Sequence, residues 1–303
     1  MTSSNYHLQQ RVEHYGVPIV DAQAVVVLVH GRTITPAKHL VEVQNSFDDS
    51  INPRLVEVLR AAVKHLHAFT AEVGLTHKEW FAGIDFLTQT GKMCDEVRQE
   101  FILLSDTLGV SMLLEMINYA ASDGATEPTV FGPFHVDGSP NRKDGDSIVD
   151  QILPTDSPLV FSGTVNDLNG KPIAGASLDV WQVQSNGLYD VQQGASQRNL
   201  RGIFKTNADG TFTINTVRPI DYTIPDDGPV GKMLRASGRH QWRPAHIHMV
   251  VSADGFIPVI THLFDRASKY LTSDAVFGVR DSLVVDMSNG HCNYDFVLDS
   301  LRE

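Results

Sequence analysis

The chain is poor in cysteine, in positive charge and in long apolar runs, and each shortage removes a class of protein. Two cysteines, Cys94 and Cys292, in 303 residues build neither a disulfide framework nor a thiolate metal cage, which sets the expectation of a reduced, cytoplasmic protein. Basic residues number 24 against 36 acidic, a formal net charge of −12, so no broad cationic face for nucleic acid is expected. The apolar run AVVVLVH at 24–30 is too short to cross a bilayer, and the polar opening MTSSNYHLQQRVEHYG is unlike a secretory signal. There is no internal repeat and no low-complexity tract. The segment AVVVLVHGRTITPAKHL at 24–40 looks like the first strand and H-G turn of an α/β-hydrolase. That reading needs a G-x-S-x-G elbow, and the nearest stretches, GVSML and GASLD, lack the second glycine. The segment is left as an extra strand or arm.

What is present divides the chain into two grammars. Between about 52 and 122 the period is helical. Asn52 stands as an N-cap before Pro53, and Leu55, Val58, Leu59, Ala62, Val63, Leu66 and Phe69 then form one apolar stripe. Thr76 and Glu79 make a capping box, with Leu75 and Trp80 placed for a hydrophobic staple. MCDEVRQEFILLSDTLG and VSMLLEMINYAASDG predict two further helices, ending near Gly109 and Gly124. After 125, short runs rich in β-branched and aromatic residues follow one another: VFSGTVND, SLDVWQV, GIFKTN, TFTINTV, AHIHMVVSA, FIPVITHLF, DSLVVDM and NYDFVL. They are separated by LNGKP, NADG and SADG turns and argue for a mainly antiparallel β-sandwich, interrupted by one helix at GPVGKMLRASG. The expected class is therefore α+β: an N-terminal extension over 1–45, a helical region over 46–125 and a β-sandwich domain over 126–303.

Thirteen histidines make an H-x-H pair unremarkable by itself, and the chain has two. His65 and His67 lie in the helical stripe, where residues two apart point roughly 200° away from one another, so they read as helix-surface residues. His246 and His248 lie in a strand pattern, project from one face and can grip one ion. The plainer alternative is two hydrogen-bonded histidines on a sheet face. Two histidines are half a metal site. Tyr189 in SNGLYDVQ and Tyr222 in PIDYTIPDDGP stand in loops where packing is the usual role, and Asp226 and Asp227 fit a solvated turn.

Taken together, GLYDVQ, PIDYTIPDDG and HQWRPAHIHM resemble, in order and spacing, the intradiol ring-cleavage dioxygenases, non-heme ferric enzymes that open catechols between their two hydroxyls. The resemblance covers most of 50–290, and implies that the helical region serves dimerisation and the sandwich catalysis. It implies one Fe(III) per subunit, held by Tyr189, Tyr222, His246 and His248, a donor set whose hard oxygens suit a ferric ion. Tyr222 would take a proton from the diol. Arg243 would stabilise negative charge building on the ring. His262, where many catechol-cleaving relatives carry glutamine, would orient or polarise the substrate. The pocket maps onto Leu103, Asp106, Val130, Phe131, Gly132, Pro133, Phe134, Ile224, Pro225, Arg243 and Val276. Among these apolar walls Asp106 needs a partner, and a third substrate hydroxyl supplies one. Asp106 and His262 both point to the hydroxyquinol branch, acting on benzene-1,2,4-triol with O2 to give 3-hydroxy-cis,cis-muconate, tautomeric with maleylacetate. A catechol or chlorocatechol 1,2-dioxygenase is the alternative, and a metal-free β-sandwich binding module the remote one. Apolar stripes on several of the helices need burial beyond one small domain and favour a homodimer through the helical region, where the resemblance also allows a phospholipid-like amphiphile.

Overall fold

A computed structural model describes residues 27–29, 32–34, 36–96, 98–119, 122–194 and 198–301. The chain divides into two compact units, one ending at Phe86 and the other beginning at Leu87.

In the first unit, strands β1 (Val27–Val29) and β2 (Arg32–Ile34) pair as an antiparallel hairpin where the hydrolase-like segment stands, followed by helix α1 (Pro36–Asn45). Helix α2 (Pro53–Glu72) starts where its cap predicts: the Asn52 side chain accepts from the Leu55 amide at 3.1 Å, with Pro53 at the first helical position. Arg60 and Gln44 exchange side-chain to backbone hydrogen bonds of 3.2 and 3.1 Å, joining α1 to α2. The Thr76–Glu79 capping box forms at the head of α3 (His77–Lys92), with Thr76 N donating to Glu79 at 2.9 Å. The stripe on α2 is present but uncovered: Leu55, Val58, Leu66 and Phe69 are exposed, and no residue of α2 is fully buried. His65 is exposed, and His67 stacks on His39.

The single helix expected over 93–109 is shorter, with α4 covering Glu100–Thr107. The reason is local. The Asp95 carboxylate takes the Arg98 amide at 2.7 Å, and the Asp95 amide bonds the Arg98 carbonyl at 2.9 Å. This Asx-type closure competes with helical bonding. Helix α5 (Val110–Asn118) follows and also stops earlier than its sequence suggests.

The rest of the second unit is a sandwich. Its five-stranded sheet runs β11-β10-β9-β4-β5, with β4 at Ser177–Gln182, β5 at Arg201–Lys205, β9 at His246–Ser252, β10 at Val259–Asp265 and β11 at Val284–Val285. The other sheet centres on β3 (Pro158–Asp167), which pairs antiparallel with β6 (Thr211–Val217) and parallel with β12 (His291–Asn293) and β13 (Phe296–Leu298). The core between them takes Leu178, Val180, Ile247, Met249 and Leu263 from one sheet and Phe161, Val165, Phe212, Ile214 and Phe296 from the other, all essentially without solvent contact. Gly163 makes one close approach possible. A side chain there would begin 1.8 Å from the Tyr294 carbonyl, where the chain passes from β12 to β13 alongside β3.

Candidate metal centre

On β9 the odd residues Ile247 and Met249 face the core, so His246 and His248 face outward. Register adds two neighbours: His248 stands opposite His262 on β10 and opposite Trp181 on β4, which in turn stands opposite Arg201 on β5. Four adjacent strands thus line up Arg201, Trp181, His248 and His262 across the outer face. Trp181 stacks on His248, centroids 4.7 Å apart and 15° from parallel, and His262 stacks on His246 at 4.6 Å.

Three pieces of chain cover this face. The first is the segment after Thr129, which donates to Ile260 O on β10 at 2.9 Å; further on, Arg142 N donates to Ile203 O on β5 at 2.9 Å. Between those pins the backbone crosses the sheet. Phe131 meets Trp181 edge-on, and Phe134 stacks on Tyr189 at 4.6 Å. Gly132, with φ near 78°, passes so close that a Cβ would lie 3.0 Å from His248 Cε1. Pro133 is exposed. The second piece is Tyr189, which caps the short helix α6 (Asp190–Gln193) and is held by Gln192 Oε1 accepting its amide at 2.9 Å. The third is β7 (Tyr222–Thr223), paired with β8 (Trp242–Arg243). Asp221 beside it accepts the Ala245 amide at 2.9 Å.

The four expected ligands converge. Tyr189 Oη lies 2.9 Å from His248 Nε2 and 3.2 Å from Tyr222 Oη, while the two histidine Nε2 atoms are 3.1 Å apart. Two donors each about 2 Å from one ion and at right angles sit about 2.9 Å from each other, so this spacing fits a shared metal. Among the described residues, His246, His248 and His262 also form the one histidine, cysteine and carboxylate group compact enough to hold an ion. The His246 ring is fixed by its Nδ1 on the Pro244 carbonyl at 2.7 Å. The Nδ1 of His262 faces Arg243 Nη2 at 3.4 Å.

Burial governs the charges. It pushes the Tyr189 phenol well above the usual tyrosine range, reinforced by Tyr222. It pushes His246, His248 and His262 well below the usual histidine range, reinforced by Arg243 in all three and by neighbouring imidazoles at His248 and His262. Burial also works against the Arg243 charge. Asp274, at 3.1 Å from Nε and 3.3 Å from Nη2, outweighs it, and the guanidinium is held firmly protonated. Arg243 Nη1 lies 3.4 Å from Tyr222 Oη and 3.2 Å from His246 Nε2.

Of the expected pocket walls, Leu103, Val130, Ile224 and Val276 pack in one apolar cluster with Met112, Val230, Leu234 and Ala275. Pro225 is half-buried beside Ile224. Asp106 lies one helical turn after Leu103, only 4% exposed, and its carboxyl is pushed up by burial, against the pull of Ser111 and Arg243. Sequence reasoning missed Asp274, Trp181 and the buried Arg201–Asp190 pair. A charged residue in the strand run NLRGIFK was a readable signal for Arg201, whereas Asp274 in a loop gave none.

The chain matches a known group. Residues 130–300 match the family model described as Dioxygenase, and residues 52–126 the one described as Catechol dioxygenase N terminus. The chain belongs to this family, the intradiol ring-cleavage dioxygenases. Within it, the chain is 48% identical to a 6-chlorohydroxyquinol 1,2-dioxygenase from Cupriavidus pinatubonensis, over 83% of this chain and 92% of that one. It is also 48% identical to a hydroxyquinol 1,2-dioxygenase from a Rhizobium species, over 78% and 81% of the two chains. The solved hydroxyquinol 1,2-dioxygenase of Pseudomonas putida superposes with a TM-score of 0.81 at 45% identity, over 88% of this chain and 99% of that one. No helix among the described residues is long and apolar enough to cross a membrane.

Proposed function

We propose that the protein opens the ring of hydroxyquinol with O2, between the 1- and 2-hydroxyls, to give 3-hydroxy-cis,cis-muconate. The observation that carries this is the convergence of Tyr189, Tyr222, His246 and His248 donor atoms at 2.9–3.2 Å from their neighbours on a buried sheet face. Fe(III) is the ion that suits two phenolates and two neutral imidazoles. When bound it supplies a Lewis acid that organises the diol and draws electron density from it. Identity of 48% to two hydroxyquinol-type relatives supports the substrate.

The remaining steps belong to side chains. Tyr222 Oη accepts one of the two protons the diol must lose, and Arg243, 3.4 Å away, stabilises whichever oxygen then carries charge. The Arg243 guanidinium is kept in place by the paired Asp274 carboxylate. Its position beside the ring offsets negative charge building on carbon before oxygen attack. His262, neutral by burial and with Nδ1 turned to Arg243, orients the substrate rather than completing the ligand set. Leu103, Val130, Phe131, Gly132, Pro133, Phe134, Ile224, Pro225 and Val276 bound a flat apolar slot, and Asp106 receives the 4-hydroxyl. The uncovered stripes on α2, α3 and α5 support a homodimer formed through the helical region.

Two measurements test the reading. Iron-loaded protein should be wine-red from phenolate-to-ferric charge transfer, and a colourless iron-replete protein rejects the ligand set. The ratio kcat/KM should favour hydroxyquinol over catechol, and equal values would transfer the assignment to a catechol or chlorocatechol 1,2-dioxygenase.

A further inference from the structure

Behind Tyr189 lies a charge pair that the proposed reaction does not use. Arg201 and Asp190 are 1% and 3% exposed. The Arg201 Nε lies 2.8 and 2.7 Å from the two Asp190 oxygens, and its Nη2 also bonds Asp190. That same Nη2 donates to the Phe134 carbonyl at 2.8 Å. Asp190 is the residue after Tyr189 and begins α6, while the Phe134 ring stacks on the Tyr189 ring. One guanidinium therefore ties the strand β5, the chain carrying Tyr189 and the segment that packs on its ring.

Burying such a pair is costly, and well-packed apolar residues commonly replace one without loss of stability. The pair persists next to a phenol that burial disfavours as an anion, and the Arg201 charge pulls in the opposite sense, toward the ionised phenol. Register fixes its distance from the metal-facing imidazoles. Arg201 is opposite Trp181, and Trp181 is opposite His248, so two strand spacings, about 9–10 Å of backbone, separate Arg201 from His248. Arg201 Nη2 holds the carbonyl of Phe134, whose ring stacks on the Tyr189 ring, whereas the Tyr189 Oη lies 2.9 Å from His248 Nε2.

We propose that Arg201 and Asp190 are positioning residues for Tyr189: they fix its ring and set the electron-donating strength of its phenolate. The inference rests on Tyr189 being an iron ligand. Charge transfer moves an electron from phenolate to ferric ion, so a cation nearer the ring than the metal raises the transition energy and an anion there lowers it. Loss of either partner leaves the other uncompensated, which gives opposite signs.

The test is the visible spectrum of iron-loaded wild-type, Asp190→Asn, Arg201→Gln and Arg201→Lys proteins, each checked for folding by circular dichroism. Asp190→Asn should move the band to shorter wavelength, Arg201→Gln to longer wavelength, and Arg201→Lys should return it toward wild type. A scaffold role alone would loosen the site and shift both neutral variants the same way. Shifts of one sign, or unshifted bands in folded variants, overturn the proposal while leaving the iron–tyrosinate reading intact. A colourless wild-type protein overturns that reading and this inference with it. Should Arg201→Gln fail to fold, Asp190→Asn alone decides: a shorter wavelength sustains the proposal, and an unchanged or longer one rejects it.

Discussion

Tyr189 and the three imidazoles are all biased toward their neutral forms by burial, and a metal cation reverses that bias for the phenol alone. Neutral imidazole is already the ligand form, whereas the phenols must each release a proton to bind. Ferric uptake at pH 7 should therefore liberate protons, and iron affinity should rise with pH. Titration of metal-free protein with a ferric chelate in a weakly buffered indicator solution, corrected for the same chelate added without protein, checks this, and uptake without net acidification would remove the tyrosines from the ligand set. Asp106 offers a second prediction at this scale. On the proposed reading Asp106→Ala takes away the partner of the third hydroxyl, and a lost buried hydrogen bond costs about 1–3 kcal/mol. The loss in kcat/KM should fall on hydroxyquinol and spare catechol; matched losses would make Asp106 structural. The residue scale is also where the sequence was least complete. The convergence of Tyr189, Tyr222, His246 and His248 was legible because each sits in a quotable motif, and the H-x-H pair on β9 shows its shared face through the two-residue period. Asp274 was not legible, because only the folded loop turns it onto Arg243.

Elements were read well where a local device starts them and poorly where tertiary contacts end them. Asn52 and the Thr76–Glu79 box predicted the heads of α2 and α3 to the residue. The head of α4 was misplaced because Asp95 and Arg98 satisfy each other, and Arg98 is drawn on toward Glu100 and Asp227 at 2.8 Å. No helix periodicity encodes such a tie. Sandwich strands were recovered from alternation, but β12 and β13 run parallel to β3, a pairing that short-range pattern does not contain. Gly163 shows how tight that junction is. Gly163→Ala would drive a methyl into the Tyr294 carbonyl and should destabilise the protein by more than about 2 kcal/mol, the range of strained core substitutions. Chemical denaturation measures it, and a change below about 0.5 kcal/mol, typical of indifferent surface sites, would mean that the β12–β13 passage moves freely.

For the whole molecule the notable property is apolar surface without cover. Trp80, Phe81, Ile84 and Leu87 on α3, with Phe101 and Ile102 on α4 and Leu113, Leu114 and Ile117 on α5, are all between about 45% and 67% exposed. A chain of net charge −12 keeps such faces from indiscriminate association but does not hide them from a matching copy. Light scattering should give a mass near twice the 33.4 kDa subunit, independent of moderate salt because the contact is apolar. A single-subunit mass at micromolar concentration would count against the dimer. This feature was foreshadowed by the stripes on the helices, since a stripe with no partner within its own unit predicts one outside it.

Strand β9 turns one set of residues to oil and the next to chemistry, residue by residue. A pairing error of a single step would bury two imidazoles and present Ile247 and Met249 in their stead. With the proposed iron–tyrosinate ligand set, pigmentation would serve as a readout of correct assembly: in a library of core variants, colonies or lysates that redden with iron should be those whose sheets have paired properly, sorted by eye before any assay of turnover.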